Sequence, residues 1–358
     1  MNGKRIGIVG CGNISGIYLT NLTGMFGKHV KVTALTDLIP EKAEKASREF
    51  NIPYIKNTDD LIQSCDVDII LNITEPYNHY HVTLSAVKAG KHVYNEKPLC
   101  EKREEAQEVI RIAAENKLRI GCAPDTFMGA GLQTCRNLID DGIIGHPVAV
   151  TAFMACHGHE HWHPSPEFYY KTGGGPMFDM GPYYLTALVS LLGPIARVSG
   201  TAKKSFDTRK ITSEPLNGKV INVDIPTHIA GVMDFANGAV GTIITSFDVY
   251  SHTLPWIEIY GSEGSMRVPD PNYFEGPVFV SRFMENTWKE IPIEKKYSEN
   301  SRGLGITDMA QAITENRPHR ANAEMAYHIL DVMHGFHDAS AAGKYYDVKS
   351  TCQKPKPM

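Results

Sequence analysis

The sequence predicts an α/β protein in two parts. A doubly wound parallel sheet is expected over residues 1–123, and an α+β domain with a mostly antiparallel sheet over residues 124–358. Three observations carry this. Short apolar runs alternate with helical stretches through the first third of the chain, a glycine-rich turn follows the first run, and beyond Pro147 the strands lengthen while helices thin out.

Residues 5–9, Arg-Ile-Gly-Ile-Val, form a short glycine-bounded run of the kind a buried parallel strand shows. Gly10-Cys11-Gly12-Asn13-Ile14-Ser15 follows at once and leads into a helix through Leu22. Residues 30–35 read as the second strand, ending at Asp37, and Pro40 opens a helix through Phe50, where its missing N–H costs little. Strands are then expected at 67–73, 92–94 and 119–123, with helices at 80–89 and 103–116 between them. In the second part, strands are expected at 148–156, 195–202, 227–235, 239–249, 256–260 and 265–268, with Asn237-Gly238 as a hairpin turn. Helices are expected at 177–192, 306–316 and 322–342. No repeat or low-complexity linker separates the parts.

Composition excludes several functions. At 358 residues, with 42% hydrophobic and 21% charged residues, the chain reads as an ordinary globular protein with ample length for two cores. A formal charge of −4 without a basic block leaves no footprint for nucleic acid. The 7 cysteines are scattered without a CxxC pair, so neither a disulfide framework nor a cysteine zinc site is expected. No apolar run approaches the roughly 18 residues of a membrane helix, and the first ten residues read as a strand rather than a signal peptide. A cytoplasmic protein without membrane or nucleic-acid partners is the expectation.

The turn after the first strand suits a dinucleotide. Gly10 permits the tight turn, and Gly12 lets backbone approach a pyrophosphate at the helix N-terminus. Ser15 replaces the third glycine of GxGxxG and is small enough for close helix–strand packing. Asp37, at the second strand end, suits the ribose hydroxyls or, alternatively, the N-cap of the next helix. A carboxylate there repels a 2′-phosphate, so NAD is expected ahead of NADP. The segment 72–79, Asn-Ile-Thr-Glu-Pro-Tyr-Asn-His, and the motif Glu96-Lys97-Pro98 also follow strands, where an open α/β sheet binds ligands. Lys97 there suits proton chemistry at a hydroxyl, although a Glu-Lys pair is more often a surface turn.

Together Gly10-Cys11-Gly12-Asn13-Ile14, Thr74-Glu75-Pro76 with His79, and Glu96-Lys97-Pro98 resemble the Gfo/Idh/MocA oxidoreductases, over nearly the whole chain. The resemblance implies a Rossmann domain followed by a domain with a large open sheet for substrate binding and self-association as a homodimer or homotetramer. It implies that Lys97 contacts substrate and nicotinamide ribose, and that Gly10, Gly12, Asn13, Ile14, Asp37, Thr74, Pro76, His79 and Glu96 surround the cofactor. Asp125, just after the last strand of the first part, is expected to face the substrate.

The second catalytic element is Asp179-Met180-Gly181-Pro182-Tyr183. Residues four apart on a helix share a face, so Asp179 and Tyr183 are expected side by side. The family pattern ends in histidine, its general acid/base; Tyr183 stands there instead, as tyrosine does in some members. A phenol titrates near 10 and needs a neighbouring cation to favour its ionised form, a part that falls to Lys97. Core packing beside Tyr184 is the other reading of Tyr183.

Residues 156–163, Cys-His-Gly-His-Glu-His-Trp-His, set four histidines in alternation. On an extended chain these share one side, which suits a zinc or manganese site, a solvated loop or donors lining a pocket. Pocket lining is the expectation, with His157, His161 and His163 on the substrate and no metal. The expected reaction is hydride transfer between NAD and a secondary alcohol of a sugar, glycoside or inositol-like polyol. Lys97, Asp179 and Tyr183 are its catalytic set. An NAD-dependent glycosidase working through transient oxidation and a non-catalytic dinucleotide or sugar sensor are the alternatives.

Overall fold

The computed structural model describes residues 3–285 and 287–358. The chain forms two compact units, each treated separately below. The first runs to Met128 and resumes over Glu299–Leu330; the second comprises Gly129–Ser298 and Asp331–Met358.

The first unit opens with β1 (Lys4–Val9), α1 (Ser15–Thr23), β2 (Val30–Thr36), α2 (Pro40–Phe50) and α3 (Thr58–Gln63). It continues with β3 (Ile69–Asn72), α4 (Pro76–Lys88), β4 (His92–Asn95), α5 (Arg103–Glu115) and β5 (Ile120–Cys122). The five strands form one parallel sheet in the order β2-β1-β3-β4-β5, the doubly wound arrangement expected. Ile6, Ile8, Ile69, Ile70, Leu71 and Val93 are wholly buried, as strands covered on both faces require.

The second unit begins with α6 (Ala130–Asp140), β6 (Pro147–Ala155), α7 (Gly175–Asp179), α8 (Gly181–Leu192), β7 (Ile195–Lys203), β8 (Thr208–Lys210) and β9 (Val220–Asn222). Then come β10 (His228–Phe235), β11 (Val240–Ser246), β12 (Ile257–Gly261), β13 (Gly264–Val268), β14 (Val278–Arg282) and β15 (Lys289–Ile291). The chain ends with α9 (Leu304–Glu315) in the first unit, α10 (Ala323–Ala342) and β16 (Tyr346–Asp347). Nine strands make one sheet, β15-β14-β13-β12-β6-β11-β10-β7-β16, antiparallel except where β11 meets β6, and β8 pairs with β9 separately. The β10–β11 hairpin turns at Asn237-Gly238, with Gly238 at φ 92°.

One expected helix is two. The stretch 177–192 breaks at Met180, between α7 and α8. Pro182 has no N–H to give Phe178, and its ring would meet that carbonyl in a continuous helix. Asp179 therefore ends one helix and Tyr183 lies in the first turn of the next, with the Tyr183 amide donating to the Met180 carbonyl at 3.1 Å.

Residues 299–330 return to the first unit, a feature absent from a division at residue 123. Ala321 accepts from the Cys122 amide at 3.1 Å, covering the edge of β5. Asp125 caps α9 from afar: its Oδ2 accepts from the amides of Gly303 and Gly305, both at 2.9 Å. Burial pushes the Asp125 carboxyl up to about 6, although these amides pull it down. A carboxyl raised on folding stabilises most at low pH, and that contribution is lost as pH climbs through about 6. Asp125→Asn keeps an acceptor oxygen and cannot ionise. Denaturant unfolding at pH 4 and pH 7.5 should show the variant gaining on the wild type at the higher pH by on the order of 2–3 kcal/mol. Equal pH dependence in both proteins would refute the assignment.

Candidate functional site

The turn after β1 is built as a cradle. Gly10 sits at φ 104°, where a Cβ would stand 2.7 Å from the Ile73 carbonyl oxygen. A Cβ on Gly12 would meet nothing within 4 Å, so open space lies over the backbone at the start of α1. Ser15 is buried and donates its hydroxyl to the Gly12 carbonyl at 2.7 Å. Asn13 is exposed in the turn, and Ile14 occupies the N-cap position of α1 without a side-chain cap bond.

Asp37 holds this turn to the end of β2. Its Oδ2 accepts from the Cys11 amide at 2.6 Å and its Oδ1 from the Ile39 amide at 2.7 Å. Ile39, not Asp37, is the N-cap residue of α2. Beside the turn lies a cavity of about 400 Å³, lined by Gly10, Gly12, Asp37 and Thr74, with Ile39 and Lys42 among its walls. These residues fit a dinucleotide: open backbone for a pyrophosphate, a carboxylate for ribose hydroxyls, and an exposed aliphatic wall for a base.

Buried hydrogen bonds tie the ends of β3 and β4 together. Asn72 Nδ2 donates to Asn95 Oδ1 at 2.8 Å and to the His79 carbonyl at 3.2 Å. Thr83 donates to Asn95 Oδ1 at 2.9 Å, and Thr74 donates to Asn72 Oδ1 at 2.7 Å. His79 is wholly buried, with Nδ1 2.6 Å from the Pro98 carbonyl and Nε2 3.0 Å from the Thr74 carbonyl. Burial lowers its pKa, and one ring proton serves one of these carbonyls at a time. His79 thus joins two strand-end loops from beneath and does not line the cavity; Pro76 starts α4. Glu96 accepts from Tyr18 at 2.7 Å and from the Lys97 amide at 3.0 Å, which fixes the turn carrying the half-buried Lys97.

Asp125 is placed differently from expectation. It is 1% exposed and engaged with α9, so its carboxylate faces backbone amides rather than open space.

In the second unit the histidine segment does not run extended. The chain turns at Gly158 (φ 79°), and the alternation breaks there. His159, which the sequence did not single out, directs Nε2 to Asp179 Oδ2 at 3.2 Å, with side chains 11% and 15% exposed. Tyr183 is 8% exposed. His157 stacks on Tyr250 with ring centroids 3.6 Å apart. His157 and His161 line a second cavity of about 950 Å³ together with Phe206, Arg209 and His252. His163 lies apart from it, accepting from the Ser165 amide at 3.0 Å through Nδ1.

A buried cation underlies this segment. Arg209 donates to Glu160 at 3.0 Å, to the Phe247 carbonyl at 2.7 Å, and to Asp248, while Tyr170 donates to Glu160. Sequence spacing offers no signal for a contact between residues 49 apart. Among the described residues, no group of three or more His, Cys, Asp or Glu side chains is arranged to hold a metal ion.

Comparison with known proteins gives consistent matches. A family model described as an oxidoreductase family with an NAD-binding Rossmann fold matches residues 4–123, and the GFO/IDH/MocA C-terminal domain matches residues 132–267. The dTDP-3,4-didehydro-2,6-dideoxy-alpha-D-glucose 3-reductase of Streptomyces violaceoruber is 26% identical over 266 residues, 73% of this chain and 71% of that protein. The inositol 2-dehydrogenase/D-chiro-inositol 3-dehydrogenase of Lactiplantibacillus plantarum is 32% identical over 149 residues, 40% of this chain and 42% of that protein. An NAD binding oxidoreductase from Klebsiella pneumoniae has the same fold, with a TM-score of 0.85 at 20% identity, covering 97% of this chain and 99% of that one.

The cradle yields a direct test. Gly12→Val sets its Cβ in open space, with nothing within 4 Å of it, and fills the space over the turn. NADH titration followed by fluorescence should show affinity reduced at least about tenfold, or roughly 1.4 kcal/mol, with an unchanged melting temperature. Unaltered NADH affinity would show that the turn is not the pyrophosphate site.

Proposed function

Because the chain belongs to the Gfo/Idh/MocA oxidoreductases, we propose that it transfers a hydride between NAD and a secondary alcohol of a sugar, glycoside or inositol-like polyol. The observation that carries this reading is the open cradle at Gly12, flanked by Asp37 and Thr74 at the carboxyl ends of parallel strands. Both relatives named above are redox enzymes of sugars or polyols. The glycosidase and sensor alternatives are set aside on that ground.

The dinucleotide side of this reading, expected over residues 1–123, takes in Met1–Met128 and Glu299–Leu330, and the substrate and self-association side, expected over residues 124–358, is Gly129–Ser298 with Asp331–Met358. Gly10, Gly12, Asn13 and Ile14 bring backbone to the pyrophosphate, and Asp37 takes the ribose hydroxyls. Lys42 lines the same cavity, yet Asp37 lies closer to the glycine turn and opposes a 2′-phosphate, so NAD is preferred. Thr74 borders the cofactor, while Pro76, His79 and Glu96 hold the loops that place it. NAD, when bound, accepts or supplies the hydride.

On the substrate side, Tyr183 takes the hydroxyl proton as the carbonyl forms, with Lys97 assisting and Asp179 orienting the reacting hydroxyl. His157 and His161 contribute hydrogen-bond donors from the cavity they line, and Trp162, 54% exposed, offers a flat apolar face to a sugar ring. Asp125 and His163 receive no direct part. Self-association through the open face of the nine-stranded sheet as a homodimer or homotetramer completes the reading, supported by exposed Val232 and Val240 on neighbouring strands. A cytoplasmic location is supported by the absence of any disulfide among the described residues. No described helix is long and apolar enough to cross a membrane.

Reduced-nicotinamide formation with NAD⁺ and NADP⁺ across a panel of sugars, glycosides and inositols tests the proposal. At least one polyol should turn over faster with NAD⁺, and Lys97→Ala should lose on the order of 100-fold or more in kcat. Preference for NADP⁺ would remove the role given to Asp37. Silence across the panel, with NADH still bound, would overturn the dehydrogenase reading.

A further inference from the structure

The second cavity is larger than one sugar ring needs. It measures about 950 Å³. Counted at the ~30 Å³ that one water takes up, the ~12 non-hydrogen atoms of a hexose or an inositol fill no more than ~360 Å³. We infer that this cavity is a second carbohydrate subsite, and that the substrate is a glycoside whose non-reacting ring lies in it against Tyr250. The inference rests on the dehydrogenase reading and narrows its substrate to glycosides.

The cavity adjoins Asp179 through the chain itself. His159 meets Asp179, and His157 and His161, two residues to either side, line the cavity. With consecutive Cα atoms 3.8 Å apart, theirs lie at most ~7.6 Å from that of His159. Cys156, in the same wall, is close enough to feel Asp179. Burial pushes its thiol up to about 11, and the charges of Asp179 and Glu160 add to the rise.

Two exposed aromatic rings of the wall are held by the groups beneath them. Tyr250, 84% exposed, lies on His157 with an interplanar angle of 17° and centroids 3.6 Å apart, which leaves its other face open. Phe206, 51% exposed, has the Arg209 guanidinium 5.1 Å from its ring centre. Arg209 is fixed in turn by Glu160 and Asp248, and it donates to His157 Nε2 at 3.4 Å. Exposed aromatic surface anchored in this way marks a ligand groove, and the C–H face of a sugar ring stacks on it.

The polar atoms of the wall define the ligand's chemistry. Three buried atoms of its residues lack a hydrogen-bond partner among the described residues: His157 Nδ1, Arg209 Nε and His252 Nδ1. Burial, with Arg209 beside it, lowers the His157 pKa and favours the neutral ring. Arg209 only donates, so His157 Nε2 accepts and the ring proton sits on Nδ1. His252 directs Nε2 to the Ala155 carbonyl at 3.2 Å, so its neutral ring keeps the lone pair on Nδ1. Donors and an acceptor therefore stand together. An ionised phosphate or carboxylate has no proton for His252, and an ammonium has no lone pair for His157 and Arg209. Hydroxyl groups have both. Charge agrees with a neutral ligand, since Arg209 and Lys210 are matched by Glu160 and Asp248.

Binding tests this without turnover. Isothermal titration calorimetry of the full-length protein in the presence of NADH compares cellobiose, maltose, lactose, melibiose and sucrose with their component sugars. At least one disaccharide should bind about tenfold or more tighter than either of its components. Tyr250→Ala should cut that advantage below about twofold, and Tyr250→Phe, which keeps the ring, should preserve it. The absence of any such advantage, or its survival in Tyr250→Ala, overturns the inference. Turnover with NAD⁺ separates this result from the dehydrogenase reading. Oxidation of a free sugar or polyol with no gain from a second ring removes the subsite and leaves that reading standing. A disaccharide that binds with a Tyr250-dependent advantage but is not oxidised supports the subsite and counts against the dehydrogenase reading.

Discussion

The hydrogen bond between Asn72 and Asn95 is the constraint on which the first unit depends. Both side chains are wholly buried at the carboxyl ends of neighbouring strands; their bond satisfies Asn72 Nδ2, which unpaired would cost about 1–3 kcal/mol, while Asn95 Nδ2 has no partner among the described residues. Pairing them locks the crest of the sheet and gives Thr74, Thr83 and the His79 carbonyl fixed partners. His79 fills the gap between the Thr74 and Pro98 carbonyls, and its ring proton ties one of the two loops at a time. A binding crevice at strand ends needs such a floor, because loops alone are too mobile to hold catalytic groups in place.

The second unit obtains the same rigidity from charge. Arg209 is wedged between Glu160 and Asp248, with both partners as buried as itself. Breaking a buried ion pair leaves an uncompensated charge and costs about 3–5 kcal/mol, so the arrangement is hard to loosen. Its effect is positional. With Glu160 anchored and the chain turned at Gly158, His159 faces Asp179, while His157 and His161 line the other cavity. Four histidines that alternate in sequence are thereby sorted into separate environments.

Legibility followed burial pattern. The parallel strands were readable because strands covered on both faces appear as continuous apolar runs. The helix α6 was not readable: Ala130–Arg136 are all buried, so no polar stripe marks a helical period. Strands β8, β9 and β15 are three residues each, too short and polar to display alternation. In the candidate site, the glycine turn and the strand-end positions of Asp37 and Glu96-Lys97 were legible, because backbone conformation and strand ends leave local marks; their roles there are proposals. Asp125 misled, since its position after a strand resembles a ligand position while its actual partners are the amides of Gly303 and Gly305. His159 was overlooked because its partnership with Asp179 crosses 20 residues and a helix end.

By itself the sequence determined the order of strands and helices, the glycine turn with its acidic companion, and the residue types available for proton transfer. These are consequences of local sterics and of apolar periodicity, which act over a few residues and need no partner. Tertiary structure decided which carboxylate caps a returning helix, which histidine meets Asp179, and where the helix carrying the Asp179-to-Tyr183 segment breaks in relation to its neighbours. Those outcomes depend on desolvation and hydrogen-bond pairing between distant segments, whose free energies exist only once the chain has folded around them.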